Sequence, residues 1–158
     1  MTLMTKPGVE PLRVEPEAIE EAAKLLYIRA CKILPDDIKV GFARLDGSET
    51  DATAKTILAT MIENIGVAER MDSLLCQDTG IPIFNVLIGR NVQVDGWELK
   101  QAIARGTARA TREHPLRSSV VHPITRRNEH TSCGERGPGI NLDFTDADRE
   151  LRLEMIPK

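Results

Sequence analysis

The sequence predicts an α/β (α+β) fold: an N-terminal helical segment followed by a mixed β-sheet with packed helices. Three observations carry that expectation. Apolar residues between Pro16 and Ile65 recur at three- and four-residue spacing, the helical period. The texture changes at Leu74–Gly80, and an apolar, β-branched run, Ile81–Ile88, follows. A further helical stretch, Trp97–Glu113, then precedes two strand-like runs, Ile140–Phe144 and Arg149–Ile156. A length of 158 residues suits one domain, with residues 1–15 as a loose lead-in and 16–158 as the folded body.

Pro16 opens the first helix, in which Ile19, Ala22, Ala23, Leu26, Ala30 and Ile33 share a face and Pro35 forces a stop. Cys31 lies in this helix and is expected to pack as a small buried side chain. A short helix is expected from Asp36 to Leu45, closed by Asp46-Gly47. A third is expected from Glu49 to Ile65, with Gly66 as its C-terminal cap and a separate turn of helix at Val67–Met71. Asp95 and Gly96 can cap the helix that His114-Pro115 ends. Ser118–Ile124 reads as extended, and Thr125–Gly139 as a long loop. Thr145-Asp146-Ala147-Asp148, between the last two strand-like runs, is a hairpin signal.

Composition narrows the function. Hydrophobic residues make up 41%, enough for a core, but only Tyr27, Phe42, Phe84, Trp97 and Phe144 are aromatic, so aliphatic side chains must fill it. No apolar run approaches the roughly 18 residues of a membrane span. The opening MTLMTKPGVEPLRVEP has no apolar core of a signal peptide. The three cysteines, Cys31, Cys76 and Cys133, lie far apart, which argues against a disulfide framework and for a reducing, cytoplasmic setting. The net charge of −3 is unevenly spread. Lys100–Arg136 holds eight basic residues, seven of them Arg, against three acids. An acidic chain with one Arg-rich segment suits a small anionic ligand better than nucleic acid, and no aromatic side chain for base stacking lies downstream of Trp97 in that segment. Arg105, Arg109 and Arg112 read as the wet face of a helix. Arg117, Arg126 and Arg127 lie outside any helix and stand open between solvated surface and ligand contact.

The densest chemical signal is Cys76-Gln77-Asp78-Thr79-Gly80, placed between a helix and a strand. A thiolate can ligate a soft metal, the carboxylate two positions on can move a proton, and the amide between them can hydrogen-bond a polar ligand. Taken generically, the same string also describes a turn with a buried thiol. His122, His130 and Cys133 form an H-x7-H-x2-C pattern, but a structural zinc site wants four ligands and usually a close Cys pair. Gly134, Gly137 and Gly139 lack the strand before and the helix after that a dinucleotide loop requires.

CQDTG after a helical segment and before an apolar strand resembles the alpha-type catalytic domain of class I fumarases and L-tartrate dehydratases, which are iron–sulfur hydro-lyases. His114–Asn128, HPLRSSVVHPITRRN, resembles that family's second motif segment. The closing INLDFTDADRELRLEMIPK resembles its β-hairpin, so the likeness covers most of residues 16–158 in order. The resemblance implies a [4Fe–4S] cluster held by three Cys thiolates, with Cys76 as the first. It implies Gln77 as a hydrogen-bonding substrate contact, Asp78 as a substrate-binding and catalytic proton-transfer group, and Arg117 as a bidentate carboxylate contact. The remaining cluster cysteines belong to a region after the hairpin, and neither Cys31 nor Cys133 occupies their places. The chain is therefore expected to be the N-terminal part of the domain, incomplete at its C-terminus and inactive alone. The implied reaction is hydration of fumarate to L-malate, with tartrate dehydration to oxaloacetate as an alternative and a noncatalytic scaffold as another. The implied partners are a small dicarboxylate and either a second copy or a beta subunit, with no nucleic acid and no membrane.

Overall fold

The computed structural model describes residues 10–76 and 79–158. They divide into two compact units, residues up to 28 together with those from 78 on, and residues 29–77.

The larger unit is a three-stranded mixed sheet with two helices on one face. Strand β1 (Leu12–Arg13) lies within the expected lead-in and pairs in parallel with β3 (Val92–Gln93). Helix α1 (Pro16–Lys32) starts at proline, whose missing N–H costs nothing at that position. Strand β2 (Pro82–Gly89) is central, as its continuous apolar composition requires. Helix α4 (Gly96–Glu113) begins where Asp95 Oδ1 accepts hydrogen bonds from the Trp97 and Glu98 amides at 2.8 and 2.9 Å. It is the crossover that lets β4 (Gly139–Thr145) return parallel to β2. Strand β5 (Leu151–Pro157) lies antiparallel on the other side of β2. Ile19 and Ala23 of α1, Phe84 and Val86 of β2, and Leu99, Ala102 and Ile103 of α4 form the buried core. At the α1–α4 crossing a Cβ on Gly106 would overlap the Glu20 carbonyl. The two backbones therefore approach only because that residue is glycine. Around the crossing, Glu20 binds Arg105 at 2.7 Å and Arg109 at 2.9 Å.

The expected hairpin does not form: β4 and β5 straddle β2 instead of pairing with each other. The 146–150 connection spends its backbone groups on the end of β2. Gly89 N–H donates to Glu150 O at 2.8 Å, Arg90 N–H to Ala147 O at 2.9 Å and Asn91 N–H to Asp148 O at 2.8 Å. Ser118–Ile124 is not a strand either. The segment closes on itself through His122 N–H to Arg127 O (2.8 Å) and Arg126 N–H to His122 O (3.0 Å).

In the smaller unit, α2 (Asp36–Ser48) runs past Asp46-Gly47 and ends when Glu49 N–H bonds Leu45 O at 2.9 Å. Helix α3 (Ala52–Arg70) starts at an Asp51 cap, whose Oδ1 accepts from Ala54 N–H at 2.9 Å, rather than at Glu49. Gly66 does not cap it. The helix continues to Arg70, and Ala68 is buried, which offsets the roughly 1 kcal/mol that a helical glycine costs. The expected separate turn at Val67–Met71 is thus mostly the last turn of α3. Leu75 N–H to Cys31 O (3.0 Å), Asn64 Nδ2 to Leu75 O (3.0 Å) and Lys32 Nζ to Asp72 (3.0 Å) then fasten residues 71–75.

Candidate functional site

Gln77 and Asp78 lie outside the described residues, so the site is built from what flanks them. Cys76 is exposed and belongs to the smaller unit. Thr79, the residue after Asp78, belongs to the larger unit and is only 1% exposed. Its hydroxyl donates a 2.6 Å hydrogen bond to the carbonyl of Arg117, and its own carbonyl accepts a 3.4 Å contact from the Tyr27 hydroxyl. Gly80 follows with φ +68°, and a Cβ there would sit 2.8 Å from Lys158 N. Glycine is needed for both reasons. Ile81 and Lys158 exchange backbone hydrogen bonds at 2.6 and 3.0 Å, which hold the end of the motif against the end of β5.

Arg117 is anchored by its backbone while its side chain is exposed. Leu116 beside it is buried. The loop beyond is pinned by Ser118, whose carbonyl accepts from Asn128 Nδ2 at 2.9 Å and whose hydroxyl accepts from Ser132 N–H at 3.1 Å. Ser132, 1% exposed, accepts from the Thr111 hydroxyl of α4 at 3.1 Å. Arg126, His130 and Ser132 all take positive φ in this loop, between 55° and 62°. Such backbone is held by surrounding bonds rather than by local preference. The structure thus brings Thr79 of the first motif against Arg117 of the second. Thr79, Ser118 and Asn128 carry that arrangement, and the sequence reading passed over them. The signal available for them was their place inside the two motif segments.

Of the other Arg residues, Arg105 and Arg109 are committed to Glu20, and Arg127 lies 3.1 Å from Glu129. The His122 ring is also engaged. Its Nδ1 accepts from the Ile124 and Thr125 amides at 3.1 Å, and its Nε2 faces Glu135 at 2.8 Å. Among the described residues, no group of three or more His, Cys, Asp or Glu side chains is placed to hold a metal ion. Burial pushes the Cys31 thiol up to about 11. Burial likewise pushes Cys133 up to about 11, and its Sγ–H donates to the Thr131 and Ala104 carbonyls at 3.3 and 3.4 Å. Thiols so placed are poor ligands, because metals bind the thiolate. Exposed Cys76 fits one corner of an iron–sulfur cluster, and the described residues supply no more of it.

The profile of a family described as "Fumarate hydratase (Fumerase)" matches residues 20–158. A protein of Methanocaldococcus jannaschii named "Putative L(+)-tartrate dehydratase subunit alpha" is 37% identical over 89% of this chain and 50% of its own length. One of Geobacillus stearothermophilus named "Putative fumarate hydratase class I" is 30% identical over 87% of the chain and 27% of its own length. The Escherichia coli K12 protein named "L(+)-tartrate dehydratase subunit alpha" is 28% identical over 77% of the chain and 40% of its own length. The chain spans half or less of the length of these curated relatives.

Proposed function

The chain belongs to the fumarate hydratase (fumerase) family, and on that premise we propose that it is a component of a hydro-lyase that reversibly hydrates fumarate to L-malate. The single observation that supports this most is the part-buried Thr79–Arg117 hydrogen bond, because it ties the residue after Asp78 to the Arg that would hold a carboxylate. In this reading the Arg117 guanidinium grips one substrate carboxylate through two parallel N–H donors. Asp78 moves the proton at the carbon next to the other carboxylate, and Gln77 orients the substrate by hydrogen bonding. Cys76 gives one thiolate to a [4Fe–4S] cluster, which when bound supplies a Lewis acid for the hydroxyl that leaves or adds. The remaining ligands are not among the described residues. A partner subunit is part of the proposal, since two of the relatives are named alpha subunits. So is a cytoplasmic setting.

A second reading, dehydration of L-tartrate to oxaloacetate, is favoured by the 37% identity to a protein named for that activity. Both substrates should be assayed with the assembled enzyme that contains this chain, after anaerobic reconstitution with iron and sulfide. Arg117→Lys is expected to lower kcat/KM by about a hundredfold, because a point charge cannot replace a fork. Cys76→Ser is expected to lower the visible charge-transfer absorption as well as the rate. Unchanged kinetics in the first variant would refute the carboxylate contact. Full cluster absorption in the second would refute the ligand.

A further inference from the structure

The backbone around Arg117 is held on both sides. Before it, Leu116 is buried and its N–H donates to the His114 carbonyl at 2.7 Å. At Arg117 itself the carbonyl takes the Thr79 hydroxyl. After it, the Ser118 carbonyl accepts from Asn128 Nδ2 at 2.9 Å, and the Ser118 hydroxyl accepts from the Ser132 N–H at 3.1 Å. Two successive peptide planes are therefore fixed, and with them the direction in which the exposed Arg117 side chain leaves the chain. The three bonds come from stretches 38, 10 and 14 residues away and converge on two consecutive residues. A loop that needed only stability has no reason to gather them there.

The supports are themselves tied down. Asn128 Oδ1 takes the His130 N–H at 2.8 Å, so one amide fastens the Arg117 segment on one side and the positive-φ turn at His130 on the other. The buried Ser132 hydroxyl meets the Thr111 hydroxyl, which also lies 2.9 Å from the Thr107 carbonyl inside α4. A chain of polar contacts thus runs from a core helix to Ser118. Further along, residues 118, 120 and 122 meet the 132–135 segment in three rungs: Ser118 on Ser132, Val120 on Gly134, and His122 Nε2 on Glu135 at 2.8 Å. Only the first rung adjoins Arg117, and the third closes the outer part of the loop. A guanidinium fork engages a carboxylate through two parallel donors, so its hold depends on angle more than a point charge does. We propose, resting on the reading of Arg117 as the carboxylate contact, that Asn128 is a positioning residue for it. Its amide, with Ser132 anchored to α4, sets the angle at which the fork meets the substrate.

The test is a double-mutant cycle in the assembled, cluster-loaded enzyme that contains this chain, with fumarate and L-tartrate each as substrate. Asn128→Ala is expected to raise KM by about tenfold while kcat changes by less than about threefold, because a misdirected group loses binding before chemistry. On an Arg117→Lys background the same substitution is expected to change KM by less than about twofold, since no fork is left to aim. Glu135→Ala breaks the outer rung of the same loop and is expected to leave KM unchanged. Ser118→Ala removes only the acceptor of the Ser132 N–H and is expected to raise KM by about threefold. It carries the test if circular dichroism shows Asn128→Ala to be unfolded. If Arg117→Lys weakens turnover while Asn128→Ala and Ser118→Ala leave KM unchanged, the positioning role is wrong and the carboxylate contact stands. If Arg117→Lys leaves the kinetics unchanged, both fall. Equal KM increases in Glu135→Ala and Asn128→Ala would mean general loosening of the loop and would overturn the proposal. So would full additivity of Asn128→Ala with Arg117→Lys.

Discussion

Thr79 is a buried polar residue, and its hydroxyl donates to the Arg117 carbonyl at 2.6 Å. Replacing it with valine keeps the shape and removes that hydrogen bond from a buried side chain. Thr79→Val is expected to cost about 1–3 kcal/mol in urea unfolding, with Thr79→Ser recovering most of it. In the assembled enzyme, Thr79→Val should also raise KM more than it lowers kcat if Arg117 holds substrate. The motif string stood out through its resemblance to a known family, since taken generically thiol, amide and carboxylate in a loop also describe a turn. The role of Thr79 was not legible, because it depends on a carbonyl 38 residues away. Arg105 and Arg109 show the same limit. Their spacing predicted a wet helical face, which their exposure bears out, but their ion-pair partner Glu20, 85 and 89 residues earlier, could not be read from that spacing.

At the scale of elements, helices followed from local rules and sheet order did not. Asp51 and Asp95 cap α3 and α4 through hydrogen bonds within three residues, a range a sequence window covers. The apparent hairpin failed because Thr145–Asp148 has turn chemistry, but the backbone groups it leads to belong to the end of β2. A Cβ on Gly89 would lie 2.8 Å from both the Ala147 and Glu150 carbonyls. Gly89→Ala is accordingly expected to destabilise by about 1–3 kcal/mol, measured by thermal or urea unfolding. If β4 and β5 paired with each other instead, that substitution would be nearly silent. The α1–α4 contact has a pH signature. Hydrogen bonds from Arg105 and then Arg109 hold the Glu20 carboxyl below its ordinary range. Lys24 and then Arg109 do the same for Glu113. The unfolded chain therefore binds protons at a pH where the folded chain does not. This stabilisation is full above the ordinary carboxylate value of about 4.3 and is lost as pH falls through the lower folded values. Glu20→Gln should flatten the acid limb of a urea-midpoint profile between about pH 5 and 2, with little change in its shape at neutral pH.

Across the whole molecule, burial is unequal. None of α2 is buried and α3 contributes only Ala68, while α4 buries seven residues. Helices held by few apolar contacts open locally at low free-energy cost. Amides of α2 are expected to exchange with deuterium at least about tenfold faster than those of central α4, and equal protection would contradict the division into two units. No helix among the described residues is long and apolar enough to cross a membrane. By itself the sequence determined the helical segments to within a few residues and the apolar strand that follows Gly80, and it marked CQDTG and LRSS as the segments to inspect. Capping, hydrophobic period and side-chain reactivity all act over a few covalent neighbours. Tertiary structure alone decided that β2 lies between β4 and β5, that Glu20 absorbs two arginines, and that Thr79 meets Arg117. Each of those depends on which distant backbone or charged group a residue reaches, and pairing across dozens of residues leaves no local trace.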